Sequence, residues 1–254
     1  MRGFAAFFRK ELRETAHTWR LFVLPGFLLF SALSAPLITY FTPLLVDRLG
    51  SAQEGFSIQV PEPTALAAYV EYLGNLGELT MFALVIAYGS IVSGELRSGT
   101  GALTLAKPLS RGAFVLCKWL SQALVTAVAA VAASALCVAV TAALLGPGPA
   151  WRLVGAVAVW AAYAALMLAV MVLLSVLLPA PAAAAGAGMG VYAGLVVLAQ
   201  FAATSRATPA GLMGAAVALL RGEPAQWAQP VSTALLATAL CLAAAVWRFS
   251  RREI

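Results

Sequence analysis

The residues that could carry out acid–base, nucleophilic or metal chemistry are few in this chain and lie far apart. His17 is the only histidine and Asp47 the only aspartate, so the apolar segments can form neither a serine–histidine pair nor an aspartate dyad. Three cysteines, Cys117, Cys137 and Cys241, lack metal-ligand spacing and are expected to be small packing residues. We therefore expect this chain to contain no catalytic site and no metal site.

Residues 95–111 contain the residue types of a phosphate-binding loop. Gly99 and Thr100 sit beside a second glycine, but the lysine of the G-x-x-x-x-G-K-[ST] motif is missing and no parallel-sheet pattern surrounds the segment. Thr100 can instead cap a short helix that must end before Pro108, and Ser110 can cap the helix that follows. The segment is predicted to be a stub of helix between two longer ones.

The elements that position this segment are apolar and long. The chain is 62% hydrophobic and 10% charged, whereas soluble domains carry about 25% charged residues. A bilayer core about 30 Å thick is crossed by about 17–25 helical residues, and five of six charge-free stretches reach that range. The second is short unless it extends back through residues 74–78. The predicted spans are Leu21–Leu45, Leu79–Gly94, Trp119–Leu145, Leu153–Leu178, Ala182–Ala203 and Val231–Trp247.

The distribution of Lys and Arg predicts the orientation. If both termini are cytoplasmic, only Arg48, Arg152, Arg206 and Arg221 of the 16 basic residues lie in outer segments, as the positive-inside rule favours. The basic net charge then reflects topology and contact with anionic lipid rather than nucleic-acid binding. We expect one multi-pass domain, residues 1–254, in the cell inner (plasma) membrane.

The segment before the first span, residues 1–20, has the pattern of an amphipathic helix in the cytoplasmic interface. Its charged residues fall away from an apolar set at near-helical spacing. That set is Phe4, Phe7, Phe8, Leu12 and Trp19. The helix serves either as a simple topology anchor or in a specific docking role, and the sequence leaves both open.

Two extracytoplasmic segments are predicted, at residues 46–78 and 204–230. In the first, a Pro-Glu-Pro-Thr entry followed by Leu66, Tyr69, Val70 and Leu73 suggests an external helix lying on the membrane.

Span five carries Gly186, Gly190 and Gly194 at four-residue spacing, a helix face that permits close helix packing in lipid. Its partner is either another span of the same chain, which we favour, or a second subunit.

The segment between spans two and three resembles the signature loop of the type-two ABC exporter permeases. The matching residues, in the order typical of that family, are Glu95, Gly99-Thr100, Pro108, Ser110-Arg111, Phe114 and Lys118. The six spans, the N-terminal elbow helix and the cytoplasmic termini are also similar. The resemblance implies an all-α membrane protein with a cytoplasmic coupling helix and short outer re-entrant helices, the latter at Ala210–Leu220.

The same resemblance implies the function and the partners. The chain is expected to be the permease of an ATP-driven exporter, and not an enzyme, with a pair of ABC ATPase subunits that bind ATP and Mg. A second permease, identical or homologous, completes the assembly, and this chain binds no cofactor. The residues expected to couple to the ATPase are Glu95, Gly99, Thr100, Leu103, Leu105, Pro108, Ser110 and Arg111.

One alternative from another class is a non-transporting membrane scaffold or immunity-type protein. Charge-free spans are compatible with scaffolding, and they weigh against a proton-coupled transporter, which needs ionisable groups in the membrane. The loop signature favours the permease. Glu95 and Arg111, which bracket the loop, are expected to form charge-assisted contacts with each other or with the partner.

Overall fold

The computed structural model describes residues 2–16, 20–50, 62–97 and 110–251. Within these ranges the regular structure is entirely helical. The helices are α1 (Arg2–Ala16), α2 (Arg20–Gly50), α3 (Ala65–Gly77), α4 (Leu79–Tyr88), α5 (Ser93–Arg97), α6 (Arg111–Leu145), α7 (Ala150–Leu177), α8 (Pro181–Ala199), α9 (Ala202–Ala207), a 3₁₀ turn (Pro209–Gly211), α10 (Leu212–Arg221) and α11 (Ala228–Ser250).

Six helical stretches in the described part of the chain are long and apolar enough to cross a bilayer. They are Phe22–Val46, Ala65–Glu95, Arg111–Leu145, Ala150–Leu177, Pro181–Ala199 and Ala228–Ser250. The predicted all-α class with six spans is thereby confirmed. The second stretch combines α3, α4 and α5, so it begins well before the predicted Leu79.

The structure differs from the sequence prediction at α3. We expected residues 66–73 to lie flat on the membrane, but Tyr69, Tyr72 and Leu73 are fully buried in the bundle. A single turn residue, Glu78, joins α3 to α4, and its carbonyl accepts the N–H of Phe82 at 3.0 Å. The physical reason is that α3 carries one charged residue, too few for the polar face that a surface helix presents to water.

The centre of the bundle is α7, which packs against α4, α6, α8, α10 and α11. Trp160 on α7 is fully buried and donates its indole N–H to the carbonyl of Leu76 at 3.0 Å. Trp119 on α6 donates in the same way to Ala165 on α7, also at 3.0 Å. These bonds satisfy polar indole groups that would otherwise be costly inside an apolar bundle.

Short helices connect α8 to α11. The predicted helix at Ala210–Leu220 is present as the 3₁₀ turn followed by α10. Gly222 ends α10 with φ of 78° and donates its N–H to Ala218 and Leu219, a left-handed C-cap that favours glycine. Its re-entrant placement on the outer side stays a prediction.

The N-terminal helix α1 lies within the predicted segment 1–20, while Trp19 lies outside the described residues. Phe7 is buried, Phe8 and Leu12 are half-buried, and Phe4 is exposed. The position of α1 in the membrane interface stays a prediction.

The glycine face of α8 lies open rather than against a span of this chain. A Cβ placed at Gly186, Gly190 or Gly194 would meet no atom of the described residues within 4 Å. The within-chain partner that we favoured is therefore wrong. Gly188, on another face of α8, is the close-packed glycine, since a Cβ there would meet the side chains of Met171 and Val85. Packing of the open face against a second subunit stays a prediction.

Candidate functional site

One face of α1 is buried against α6 and carries polar residues as well as an aromatic one. Phe7, Glu11 and Thr15 follow one another at a spacing of four residues, which places them in a row on one side of the helix. Their exposed fractions are 7%, 4% and 4%. The carboxylate of Glu11 therefore enters the bundle and needs a partner there.

That partner is Lys118 on α6, which is only 2% exposed. Its Nζ donates to Glu11 Oε2 at 3.1 Å and to Glu95 Oε1, on α5, at 2.6 Å. The ammonium also lies over the ring of Phe114, 5.1 Å from its centroid. Lys118 thus bridges α1 and α5 from a position on α6.

Two more charged residues of α1 surround this bridge. Lys10 Nζ lies 2.7 Å from Glu14 Oε2, 3.6 Å from Glu11 Oε1 and 3.9 Å from Glu95 Oε1. We call Lys10, Glu11, Glu14, Glu95 and Lys118 the ionic cluster. Oxygens of its three carboxylates lie within 4.8 Å of one another, close enough to hold a metal ion. The two lysine ammoniums already pair with these carboxylates and offset two of the three negative charges.

Burial and charge act against each other at Glu11. Desolvation raises the pKa of its carboxyl above the ordinary 4.5, and Glu95 adds to the rise, while Lys118 and Lys10 oppose it. At Lys10, burial lowers the pKa of the ammonium, but the hydrogen bond to Glu14 and the nearby carboxylates outweigh it, and the pKa is raised. The charges of the cluster therefore depend on one another.

A line of hydrogen bonds continues from the cluster into the bundle. Gln122 on α6 donates from Nε2 to Thr15 Oγ1 at 2.7 Å, and its Oε1 accepts the hydroxyl of Tyr88 at 3.0 Å. Thr15 in turn donates to the carbonyl of Glu11 at 2.9 Å. Through these bonds α1, α4 and α6 share one polar network in a mostly apolar interior.

Aromatic packing extends the contact to α11. The ring of Phe114 stacks between those of Phe7 and Phe249, with 5.4 Å between centroids on each side. At the same end, Arg111 donates from Nη1 to the carbonyl of Ser250 at 2.9 Å. The start of α6 is therefore held by α1 and α11 together.

The position of Glu95 depends on a break in span two. The backbone leaves the helix at residues 89–92 and resumes as α5. Ser175 on α7 accepts the N–H groups of Val92 and Ser93 at 3.0 and 2.9 Å, which satisfies backbone donors at the start of α5. A Cβ at Gly89 would lie 2.8 Å from the carbonyl oxygen of Pro181, so this approach requires a glycine.

The loop that resembles the coupling segment runs between α5 and α6. Its predicted residues Gly99, Thr100, Leu103, Leu105 and Pro108 lie outside the described residues. The two ends of the loop are described. Ser110 caps α6 as predicted, since its hydroxyl accepts the N–H of Ala113 at 3.2 Å. Glu95 lies just before the loop and Lys118 two turns after it, so their contact joins the two ends.

Sequence reasoning found Glu95 and Arg111. In the structure Glu95 accepts from Lys118 and Arg111 donates to Ser250, and the expected contact with each other or with a partner protein stays a prediction. Sequence reasoning missed Glu11, Thr15, Gln122 and Tyr88 as members of the network. The available signal was weak: Glu11 shares the face of α1 that Phe7 marks as buried.

Comparison with known proteins agrees with this architecture. Residues 5–254 match the family described as ABC-2 family transporter protein. An uncharacterized transmembrane protein of Bacillus subtilis (strain 168), YxlG, is 25% identical over 125 residues, which are 49% of this chain. The match spans 48% of that relative, about half its length.

Proposed function

The chain belongs to the ABC-2 family of transporter proteins, and on that premise we propose that it is the permease subunit of an ATP-driven exporter. The family role is that of a multi-pass transport subunit in the membrane, which is not itself catalytic. The finer proposal is that a separate ABC ATPase docks on residues 95–111 and that its cycle drives export.

The ionic cluster is the observation that supports this proposal most strongly. A force applied to the loop reaches the bundle through α5 and α6, and Lys118 joins Glu95 on α5 to Glu11 on α1. Breaking such a buried pair leaves an uncompensated charge, at a cost of about 3–5 kcal/mol. The three helices at the base of the loop are therefore expected to move as one body.

The assembly that we propose contains two ATPase subunits and two permeases, identical or homologous. ATP and Mg are bound by the ATPases, and this chain supplies the path through the inner (plasma) membrane. The excess of basic residues beside the loop and at both termini favours a cytoplasmic location for these parts. A loop on that side is accessible to a cytoplasmic ATPase.

The direct test places charge in the proposed contact with the ATPase. Replacing Leu103 and Leu105 with Asp is expected to abolish ATPase co-purification, because an unpaired charge buried in an interface costs several kcal/mol. The matched control places two Asp residues at Ala225 and Gln226, in the exposed loop between α10 and α11. The control variant should retain the ATPase, and both variants should insert in the membrane.

Retention of the ATPase and of transport by the Leu103→Asp, Leu105→Asp variant would contradict the coupling assignment. The alternative, a non-transporting scaffold or immunity-type membrane protein, would then account better for the chain.

A further inference from the structure

A cavity of about 850 Å³ lies between the α3–α4 junction, α8 and α10. None of its lining residues belongs to the ionic cluster, and it plays no part in the proposed coupling. Pockets of about 300–1,000 Å³ are the size that holds drug-sized ligands in proteins. We call it the α8–α10 cavity.

The walls of the α8–α10 cavity are built by specific contacts. Tyr192 on α8 donates its hydroxyl to the carbonyl of Gly77 at 3.0 Å, and its ring meets Phe82 edge-on at 5.5 Å between centroids. On the other side, Met213 of α10 packs so closely on Gly77 that a Cβ there would lie 2.6 Å from its terminal methyl. The cavity is therefore a feature of packed helices and not a gap between loose ones.

The lining combines an apolar surface with charged groups. Phe82 on α4 and Met213 on α10 contribute apolar side chains, and Tyr192 on α8 contributes an aromatic ring. Glu78 and Arg221 contribute charges of opposite sign. The cavity thus offers surface for a hydrocarbon chain and for a polar headgroup.

The lining carries charges of both signs on exposed side chains. Glu78, Arg221 and Glu223 all line the cavity and are exposed. Within the described ranges, no ion pair links any of the three to another charged side chain. A guanidinium matches the geometry of a phosphate, and two carboxylates suit an ammonium.

We propose that the α8–α10 cavity binds a phospholipid-like amphiphile whose headgroup carries both a phosphate and a primary ammonium. The phosphate pairs with Arg221 and the ammonium with Glu78 and Glu223. The hydrocarbon chain lies along Phe82, Tyr192 and Met213. This site does not rest on the proposed function, since binding requires no ATPase.

The test measures which phospholipid the full chain retains. The protein is released from bilayer discs that contain equal amounts of phosphatidylethanolamine and phosphatidylglycerol. Native mass spectrometry then measures how much of each lipid stays bound to the protein. The wild-type chain should retain phosphatidylethanolamine in preference to phosphatidylglycerol. Replacing both Glu78 and Glu223 with Gln should abolish that preference, because the two carboxylates contact the ammonium group that only phosphatidylethanolamine carries. Equal retention of both lipids by the wild-type chain would overturn the proposal.

A second pair of variants tests the cavity itself. A Cβ at Gly214, which lines the cavity, meets no atom within 4 Å in the part of the chain that the structure describes, so Gly214→Leu fills the space without a clash at the helix. This change should cut phosphatidylethanolamine retention at least about fivefold, because the leucine occupies the volume of the hydrocarbon chain. The matched control is Gly155→Leu on α7, also at an open glycine but outside the lining. It should retain lipid at the wild-type level, and retention by Gly214→Leu at that level would overturn the proposal.

A second copy of this chain is the competing occupant of the open side. A photoreactive benzophenone amino acid at Val196, in the cavity lining, should form an adduct with lipid. Cross-linking to a second copy, with no lipid adduct, would place protein over the cavity and contradict the assignment.

Discussion

The two ends of the bundle treat charged side chains in opposite ways. In the ionic cluster, Lys118 and Glu11 are almost fully buried and paired with each other. At the α8–α10 cavity, Arg221 and Glu223 are exposed beside an apolar space. Buried pairs resist separation, while exposed charges remain available to a ligand. The ionic cluster is therefore expected to hold its helices together, whereas the α8–α10 cavity is expected to bind a ligand.

The largest effect expected from this contrast is the loss of the central lysine. Lys118→Met leaves the carboxylates of Glu11 and Glu95 without their shared ammonium, and should lower the free energy of unfolding by about 3–5 kcal/mol. Arg221→Met, at the exposed end, should change it by no more than about 0.5 kcal/mol. Denaturant unfolding in detergent micelles measures both variants.

Equal stability changes in these two variants would remove the contrast between the ends. A triple variant, Lys118→Met with Glu11→Gln and Glu95→Gln, separates lost packing from uncompensated charge. It should recover much of the loss, because no buried charge is left unpaired.

Glycines at the two ends should also respond differently. Gly89→Ala places a Cβ against the carbonyl of Pro181, and backbone must move, which should cost about 1–3 kcal/mol. Gly214→Ala meets open space within a helix and should stabilise by up to about 1 kcal/mol, because alanine favours helix over glycine. Thermal unfolding of both variants measures the difference. A Gly89→Ala variant as stable as the wild type would show that the break in span two is loosely packed.

A smaller effect concerns pH at the cluster. Because burial raises the folded-state pKa of Glu11, the protonated form stabilises the fold below the unfolded value of 4.5, and this stability is lost as pH rises through the raised pKa. In Glu11→Gln the side chain at this position does not titrate, so it loses no stability as the pH rises. The unfolding temperature of the variant, relative to that of the wild type, should therefore rise between pH 4 and pH 8 in a series at about 0.5-unit steps. A constant difference across the series would contradict the raised pKa.

The smallest effect on stability is expected on the open face of α8. A Cβ at Gly190 meets no atom of the described residues within 4 Å, so Gly190→Leu should change the free energy of unfolding of the monomer by no more than about 0.5 kcal/mol. If the face contacts a second subunit, the leucine should lower the dimer fraction, measured by size-exclusion chromatography with light scattering. An unchanged dimer fraction would place the subunit contact elsewhere.

The parts of the fold that depend on local sequence were predictable. Hydropathy and length predicted six spans, and the residue type at Ser110 predicted the cap of α6. Two prolines, Pro209 and Pro224, bracket the short helical run before α11. Each of these signals involves residues that are close together in the sequence, so the sequence alone was enough to predict the element.

The parts that depend on contacts between distant residues were not predictable. Lys118 meets Glu11 across 107 positions, and no spacing rule links them. The same holds for the glycine face of α8, where the four-residue spacing indicates close packing but not which helix supplies it. For α3, hydropathy alone does not distinguish a buried helix from one on the membrane surface.

The central claim is that the cluster joins α1 to the base of the coupling loop as one rigid body. Spin labels at Arg9 on α1 and Leu116 on α6, both exposed, report the distance between these helices by double electron–electron resonance, with Cys241 replaced by Ala. Measured on the complex with its ATPase, this distance should be narrow and the same with and without ATP, and should broaden in Lys118→Met. A distance in the wild-type complex that changes with ATP would contradict the account.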